Sequence, residues 1–277
     1  MTVQPESGCS RTNLQQTHRR CGTAHPARIL ARVVAPALRR SLGAPARIAA
    51  AALLCGAVQL PADPANAVIG GAPDGSAHPY VAMLHRPGST RADCSGVLVR
   101  QGSGGAVVLT TAHCFSGTGR RSGTGFSVTF DATFTSSSPR YAGTFYVDPR
   151  FRYAGDAHDL AVLVLRSRPP AAPARLAAVG HLDRARPTSL TTVGGGEPHR
   201  GQRRSATERT TGRSASWQFL RAGDGNSCDF DSGGPDLMPG STTVVALTDQ
   251  GSCQQDQDLR VDTGEAHHFV DDPRRWH

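Results

Sequence analysis

The sequence predicts an all-β fold, an antiparallel sandwich or barrel arrangement in two lobes of similar size. Three observations carry that expectation. Beyond residue 67 the apolar segments are short and β-branched, turns rich in Gly, Ser and Pro separate them, and one long Pro/Ala/Arg stretch divides them into two groups. None of these segments is long or periodic enough for an amphipathic helix.

In chain order the candidate strands are "YVAML" (80–84), "SGVLV" (95–99), "AVVLTTA" (106–112), "FSVTF" (126–130), "LAVLVL" (160–165), "SLTTVG" (189–194) and "TTVVALT" (242–248). Loops such as "GSGG" and "SGTGRRSGTG" lie between them. The stretch "RSRPPAAPARLAAVGHLDRARP", residues 166–187, reads as a linker, which sets the lobes at about 68–165 and 188–277. The tail "GEAHHFVDDPRRWH" is expected to form a short helix that ends before Pro273. No internal repeat of fixed period is present.

Residues 1–67 read as a leader. Arg47 precedes a 13-residue apolar run, Ile48–Leu60, and "ADPANA" ends in Ala65-Asn66-Ala67. A basic start, a short apolar core and an A-x-A site define a secretory signal. Thirteen residues are too few to span a bilayer, so the expected product is secreted, with cleavage after Ala67 and no membrane anchor afterwards. The leader is long for its class. Translation is therefore expected to start later, near Val33, and Arg39-Arg40 leaves a twin-arginine export route open.

The formal charge of +8 is concentrated in this leader: residues 1–67 hold eight Arg and two acids, so residues 68–277 carry only +2. Their strongest basic run, "HRGQRR" (199–204), sits in a Gly-rich loop, and no nucleic-acid partner is expected. Of seven cysteines, Cys9, Cys21 and Cys55 fall in the leader. Cys94, Cys114, Cys228 and Cys253 remain, an even number in a segment bound for an oxidising compartment. Four cysteines permit three pairings, and without a C-x-x-C motif no metal site is expected.

Three local patterns arrive in order: "TTAHC" (110–114), "HDLAVLVL" (158–165) and "CDFDSGGP" (228–235). Each alone is ordinary, because a histidine after a strand is more often a structural residue than a catalyst. In the order His, Asp, Ser they match a known chemistry. A serine hydroxyl is a poor nucleophile at its own pKa, so a base must take its proton during attack and return it to the leaving group. A carboxylate behind the imidazole sets its tautomer and stabilises the cation that forms.

The three patterns, together with "VIGG" (68–71), "HPYVAML" and "CSGVLV", resemble the chymotrypsin-like (trypsin-fold) serine protease family, closest to its secreted bacterial members, over nearly all of 68–277. The resemblance implies two antiparallel Greek-key six-stranded β-barrels with the active site between them and a short C-terminal helix. It implies a triad of His113, Asp159 and Ser232, an oxyanion hole from the amides of Phe230 and Ser232, and disulfides Cys94–Cys114 and Cys228–Cys253. Signal cleavage would free Val68 to form an activating ion pair with Asp231. The implied activity is hydrolysis of protein or peptide substrates by a monomer, with no cofactor and no metal. A catalytically silent binding protein and an esterase are the alternatives.

Two departures from the family pattern stand out. Phe230 replaces a nearly invariant glycine that marks a positive φ, where a bulky residue is strained by about 1–3 kcal/mol. A flipped peptide there would remove one oxyanion donor and about 100- to 1,000-fold in rate. At the expected base of the primary pocket stands Asn226 rather than aspartate, which argues against ordinary tryptic specificity. Asp249, Gln257 or Asp258 are candidates to line the wall and restore a preference for basic side chains. Register leaves Thr248 or Asp249 to support Asp159. Thr248 is favoured, because a second carboxylate beside a buried one costs energy.

Overall fold

The computed structural model describes residues 68–103 and 105–272, so the expected leader, its cleavage site and its three cysteines lie outside the described residues. The first barrel contains β1 (Val81–His85), β2 (Cys94–Gly102), β3 (Gly105–Thr110), β4 (Ser127–Thr129), β5 (Tyr141–Val147) and β6 (Ala161–Leu165). The second contains β7 (Ser189–Gly194), β8 (Arg204–Arg213), β9 (Trp217–Ala222), β10 (Pro235–Leu237), β11 (Thr243–Gly251) and β12 (Gln255–Arg260).

Both barrels close with the same antiparallel order of neighbours, β1-β2-β3-β6-β5-β4 in the first and β7-β8-β9-β12-β11-β10 in the second. This is the Greek-key pattern, in which a long connection returns a strand beside the first. Three two-residue strands extend the sheets: Ser122–Gly123 on β5, Ala72–Pro73 on β8, and Arg175–Leu176 running parallel to β11.

The first barrel forms because its strands bury β-branched and aromatic side chains. Val97, Leu109, Val128 and Leu163 are fully enclosed, and Phe115, Phe126 and Phe145 pack together. The Phe115 and Phe145 rings stack at 4.4 Å, and Phe126 meets both edge-on. The second barrel contains four strands, β8, β9, β10 and β12, that the apolar pattern does not reveal, because many of their buried positions carry polar groups. In β12, "QDQDLR", the buried alternate residues are Asp256, Asp258 and Arg260.

The segment expected as a plain linker carries structure of its own. The helix α1 (His181–Ala185) buries Leu182, whose amide donates to Asp262 at 2.7 Å. At the C-terminus α2 (Gly264–Asp271) is capped by Thr263, whose hydroxyl accepts from the Ala266 amide, and Phe269 anchors it. The expected disulfides Cys94–Cys114 and Cys228–Cys253 are both formed. Among the described residues no helix is long and apolar enough to cross a membrane.

The basic run at 199–204 turns inward. Arg203 is 2% exposed, pairs with Asp74 at 2.7 Å and donates to the carbonyls of Val81 and Phe130, tying the second barrel to the first. Its Arg204 neighbour donates to Gly71. These arginines close gaps in the fold and do not present a cationic face.

Candidate active site

His113 sits on a 3₁₀ turn, Ala112–Thr118, that follows β3. The turn is fixed from both sides. Cys114 is bridged to Cys94 on β2, and Phe115 enters the aromatic core of the first barrel. Asp159, fully buried at the entrance to β6, accepts two bonds from His113: one from its amide at 2.8 Å and one at Nδ1, 2.9 Å away. The Gly155 amide adds a third at 3.2 Å. With Nδ1 donating, Nε2 keeps its lone pair and is able to accept a proton.

The loop that carries Ser232 reaches this turn from the second barrel. The Ser232 carbonyl accepts from the Ser95 amide at 2.8 Å and lies 3.8 Å from Cys114 Sγ, next to His113. Gly233 is needed here: its φ is +81°, and a Cβ would overlap the Thr110 hydroxyl and the Ser95 carbonyl. Among the described residues no hydrogen bond joins His113 to Ser232. Such contacts are commonly long without substrate and tighten in the complex.

Phe230 keeps the glycine conformation, with φ of 71°. Among the described residues the amides of Phe230 and Ser232 have no hydrogen-bond partner. What holds the strained residue is visible. The Arg200 guanidinium lies 3.5 Å from the centre of the Phe230 ring, and it is itself anchored to the Ala92 carbonyl at 2.8 Å and Asp93 at 3.2 Å. Nothing in the sequence pattern singles out Arg200 for this contact.

Asp231 is buried and accepts from the amides of Gly196 at 2.7 Å, Cys228 at 3.0 Å and Val68. Burial outweighs these bonds and pushes its carboxyl up to about 7. Val68 is fully buried, so its nitrogen already stands at the carboxylate that the resemblance assigns to it.

Beside Ser232 lies a cavity of about 370 Å³ whose wall includes Ser227, Phe230, Asp249, Cys253 and Asp256. Two of the three expected pocket residues are placed differently. Asn226 lies beneath the floor, 1% exposed, and donates to Asp256, while Asp258 is fully enclosed in the barrel and does not line the cavity. Asp256 is the floor carboxylate, and sequence reasoning missed it. The alternation in "QDQDLR" was the available signal, since Asp256 and Asp258 share a face and only the fold decides which meets the cavity.

Behind Asp256 stand three further buried acids. Glu208 accepts from the Ser227 amide at 2.7 Å, and burial together with the charges of Asp236 and Asp256 pushes its carboxyl up to about 10. Burial likewise raises Asp236 to about 7 and Asp256 to about 6, and it holds Asp258 well above the usual range.

The register beside Asp159 also differs from the favoured expectation. A bulge in β11 between Leu247 and Gln250 turns Asp249, not Thr248, toward the histidine, with Oδ1 3.8 Å from His113 Nδ1. The energetic objection to a second carboxylate is met by the proton it keeps: burial and the neighbouring Asp159 push Asp249 up to about 9.

Comparison with known proteins agrees with this arrangement. Residues 68–267 match the trypsin family, while no curated protein matches the sequence. Among solved structures, HL collagenase aligns with 18% identity and a TM-score of 0.54, covering 70% of this chain and 91% of that one. The VesB protease of Vibrio cholerae aligns with 20% identity and a TM-score of 0.56, covering 73% of this chain and 65% of that one. An inactivated protease paralogue of the scabies mite, S-D1, aligns with 16% identity and a TM-score of 0.57, covering 74% and 95%. At these identities the three neighbours speak to the fold alone, but the family match spans most of the chain, and the protein belongs to the trypsin family of serine proteases.

Proposed function

We propose that this protein is a secreted serine endopeptidase that works through an acyl-enzyme. The observation that carries the reading is the doubly bonded His113–Asp159 pair set against a loop that presents Ser232 and two unbonded amides. His113 takes the Ser232 proton, Ser232 attacks the scissile carbonyl, and the Phe230 and Ser232 amides receive the oxyanion. His113 then protonates the leaving amine, and water repeats the sequence to free the acid. No step requires a cofactor.

Signal cleavage after Ala67 would turn the buried Val68 nitrogen into a charged amine beside Asp231. That charge favours the ionised carboxylate and orders the adjoining oxyanion loop. Asp256, which lines the cavity together with the exposed Asp229, supports a long basic side chain as the preferred residue before the cut. Asn226 in place of an aspartate still argues against ordinary tryptic specificity, and Asp256 would supply the acidic wall that restores a basic preference. An esterase would need the same groups, because ester and amide acylation proceed alike.

Labelling with a fluorophosphonate tests the reading. The secreted protein is expected to react, and Ser232→Ala to abolish labelling and lower turnover by about a millionfold. The absent His113–Ser232 bond favours a second reading, a silent binding protein, and folded but unlabelled material would establish it. N-terminal sequencing is expected to begin at Val68, and a peptide-library digest to show cuts after Arg or Lys.

A further inference from the structure

Asp249 is a poor structural residue where it stands. Its side chain is fully buried, neither carboxylate oxygen has a hydrogen-bond partner, and it faces a histidine and another buried carboxylate. The Gly155 amide nearby donates its well-formed bond to Asp159 and exerts only a lesser pull on Asp249. Two carboxylates at such a spot repel each other unless a proton or a cation lies between them.

The positions of the donor atoms suit a small metal ion. His113 Nδ1 lies 2.9 Å from Asp159 Oδ2 and 3.8 Å from Asp249 Oδ1, and all three atoms fall within 4.8 Å of one another. Zinc holds nitrogen and carboxylate oxygen at about 2.0–2.2 Å, so neighbouring ligands of a tetrahedral site stand about 3.3–3.5 Å apart. The two measured separations bracket that edge, and shifts of about half an ångström would equalise them. Both carboxylate side chains are enclosed, and His113, whose side chain is 19% exposed, is the ligand nearest to solvent.

We propose that His113, Asp159 and Asp249 bind one Zn²⁺ ion, and that the ion reversibly switches the enzyme off. The inhibition follows from the imidazole tautomer. Zinc displaces the proton held by Asp249 to solvent. Coordination through Nδ1 uses that lone pair, so the ring proton resides on Nε2, and a protonated Nε2 cannot accept the proton of Ser232. The ion also occupies the Asp159 oxygen that otherwise orients the ring. A hydroxyl at position 249 would leave only two protein ligands, so the switch depends on the second carboxylate. The binding site stands on its geometry; the inhibition rests on the protease reading above.

Calorimetric titration of metal-free Ser232→Ala protein with zinc chloride tests the site without catalysis. One zinc is expected to bind in a manner that depends on Asp249, with Asp249→Asn weakening it by at least about tenfold. In protein with Ser232 intact, buffered free zinc is expected to stop peptide hydrolysis, a chelator to restore it, and Asp249→Asn to raise the inhibitory concentration by the same factor. Nitrogen-15 NMR should place the metal on His113 Nδ1 and the proton on Nε2. Should Asp249→Asn fail to fold, Asp249→Ser and the NMR spectrum of the parent protein decide the matter. Equal zinc affinity with and without the Asp249 carboxylate, or zinc found on Nε2, overturns the site. Zinc bound as described in a protein that never hydrolyses peptide leaves the site standing and removes the protease reading. Hydrolysis untouched by saturating zinc removes the switch alone.

Discussion

The two barrels share one strand order and differ in how much charge they bury. The first is closed around aliphatic side chains and the Phe115–Phe126–Phe145 cluster, whereas the second adds four buried acids, Glu208, Asp236, Asp256 and Asp258, to aliphatic residues such as Val193, Leu237, Val244 and Leu247. A closed antiparallel sheet satisfies its own backbone, so the topology tolerates either interior. The difference separates two tasks. The first barrel is a seat for the His113 turn and Asp159, and the second buries acids behind Asp256, which lines the cavity.

The sharpest way to break this comparison is to remove apolar packing from the first barrel. Phe145→Ala, at the centre of the aromatic cluster, is expected to cost about 3–5 kcal/mol in urea unfolding and to lower turnover as the His113 turn loosens. A loss below about 1 kcal/mol would mean that the aromatic seat carries no special share of the stability.

Next comes the strut between the barrels. Arg203→Ala leaves Asp74 buried without its partner and is expected to cost about 3 kcal/mol, read from the same unfolding curves. Replacing the pair together, Asp74→Leu with Arg203→Met, should recover most of that loss.

A smaller effect is the pH dependence that the second barrel alone should impose. Glu208, Asp236 and Asp256 hold their protons in the folded state up to about pH 10, 7 and 6, while the unfolded chain releases them near pH 4. Their contribution to stability is therefore full below about pH 4 and is lost as pH rises toward those folded values. The melting temperature should fall by about 5 °C or more between pH 5 and pH 9, and Glu208→Gln should flatten the slope. A melting temperature that rises over this range would show that the buried acids do not set the profile.

The smallest expected change lies at the contact between the loops. Arg200→Ala removes the guanidinium from the Phe230 ring and is expected to lower kcat by about tenfold with KM nearly unchanged, as the strained peptide samples the flipped form. In a Phe230→Gly background the same change should cost little, because glycine needs no clamp. An equal loss in both backgrounds would assign Arg200 a different role.

Much of the site was legible in the sequence because its chemistry is local. "TTAHC", "HDLAVLVL" and "CDFDSGGP" each place a reactive residue at the end of a strand or on a glycine turn, and the structure brings His113 and Asp159 into contact. The pocket was less legible. Thr248 and Asp249 differ by one residue in a strand, and the bulge after Leu247 decides which faces His113. Phe230 announced a strained position, but its remedy, Arg200, lies thirty residues away along the chain.

By itself the sequence determined five of the first barrel's six strands, the turns between them and the order of the candidate catalytic residues; it missed β5, whose inward residues include Gly143 beside Phe145 and Val147. Period-two alternation of β-branched side chains is a local property, and it survives in the one-dimensional record. Only the tertiary structure decided the interior of the second barrel and the identity of the cavity floor. Strands such as "QDQDLR" point charged groups inward, and a buried acid is tolerated only through protons, donors and neighbours contributed by distant parts of the chain. Those partners meet only when the barrel closes.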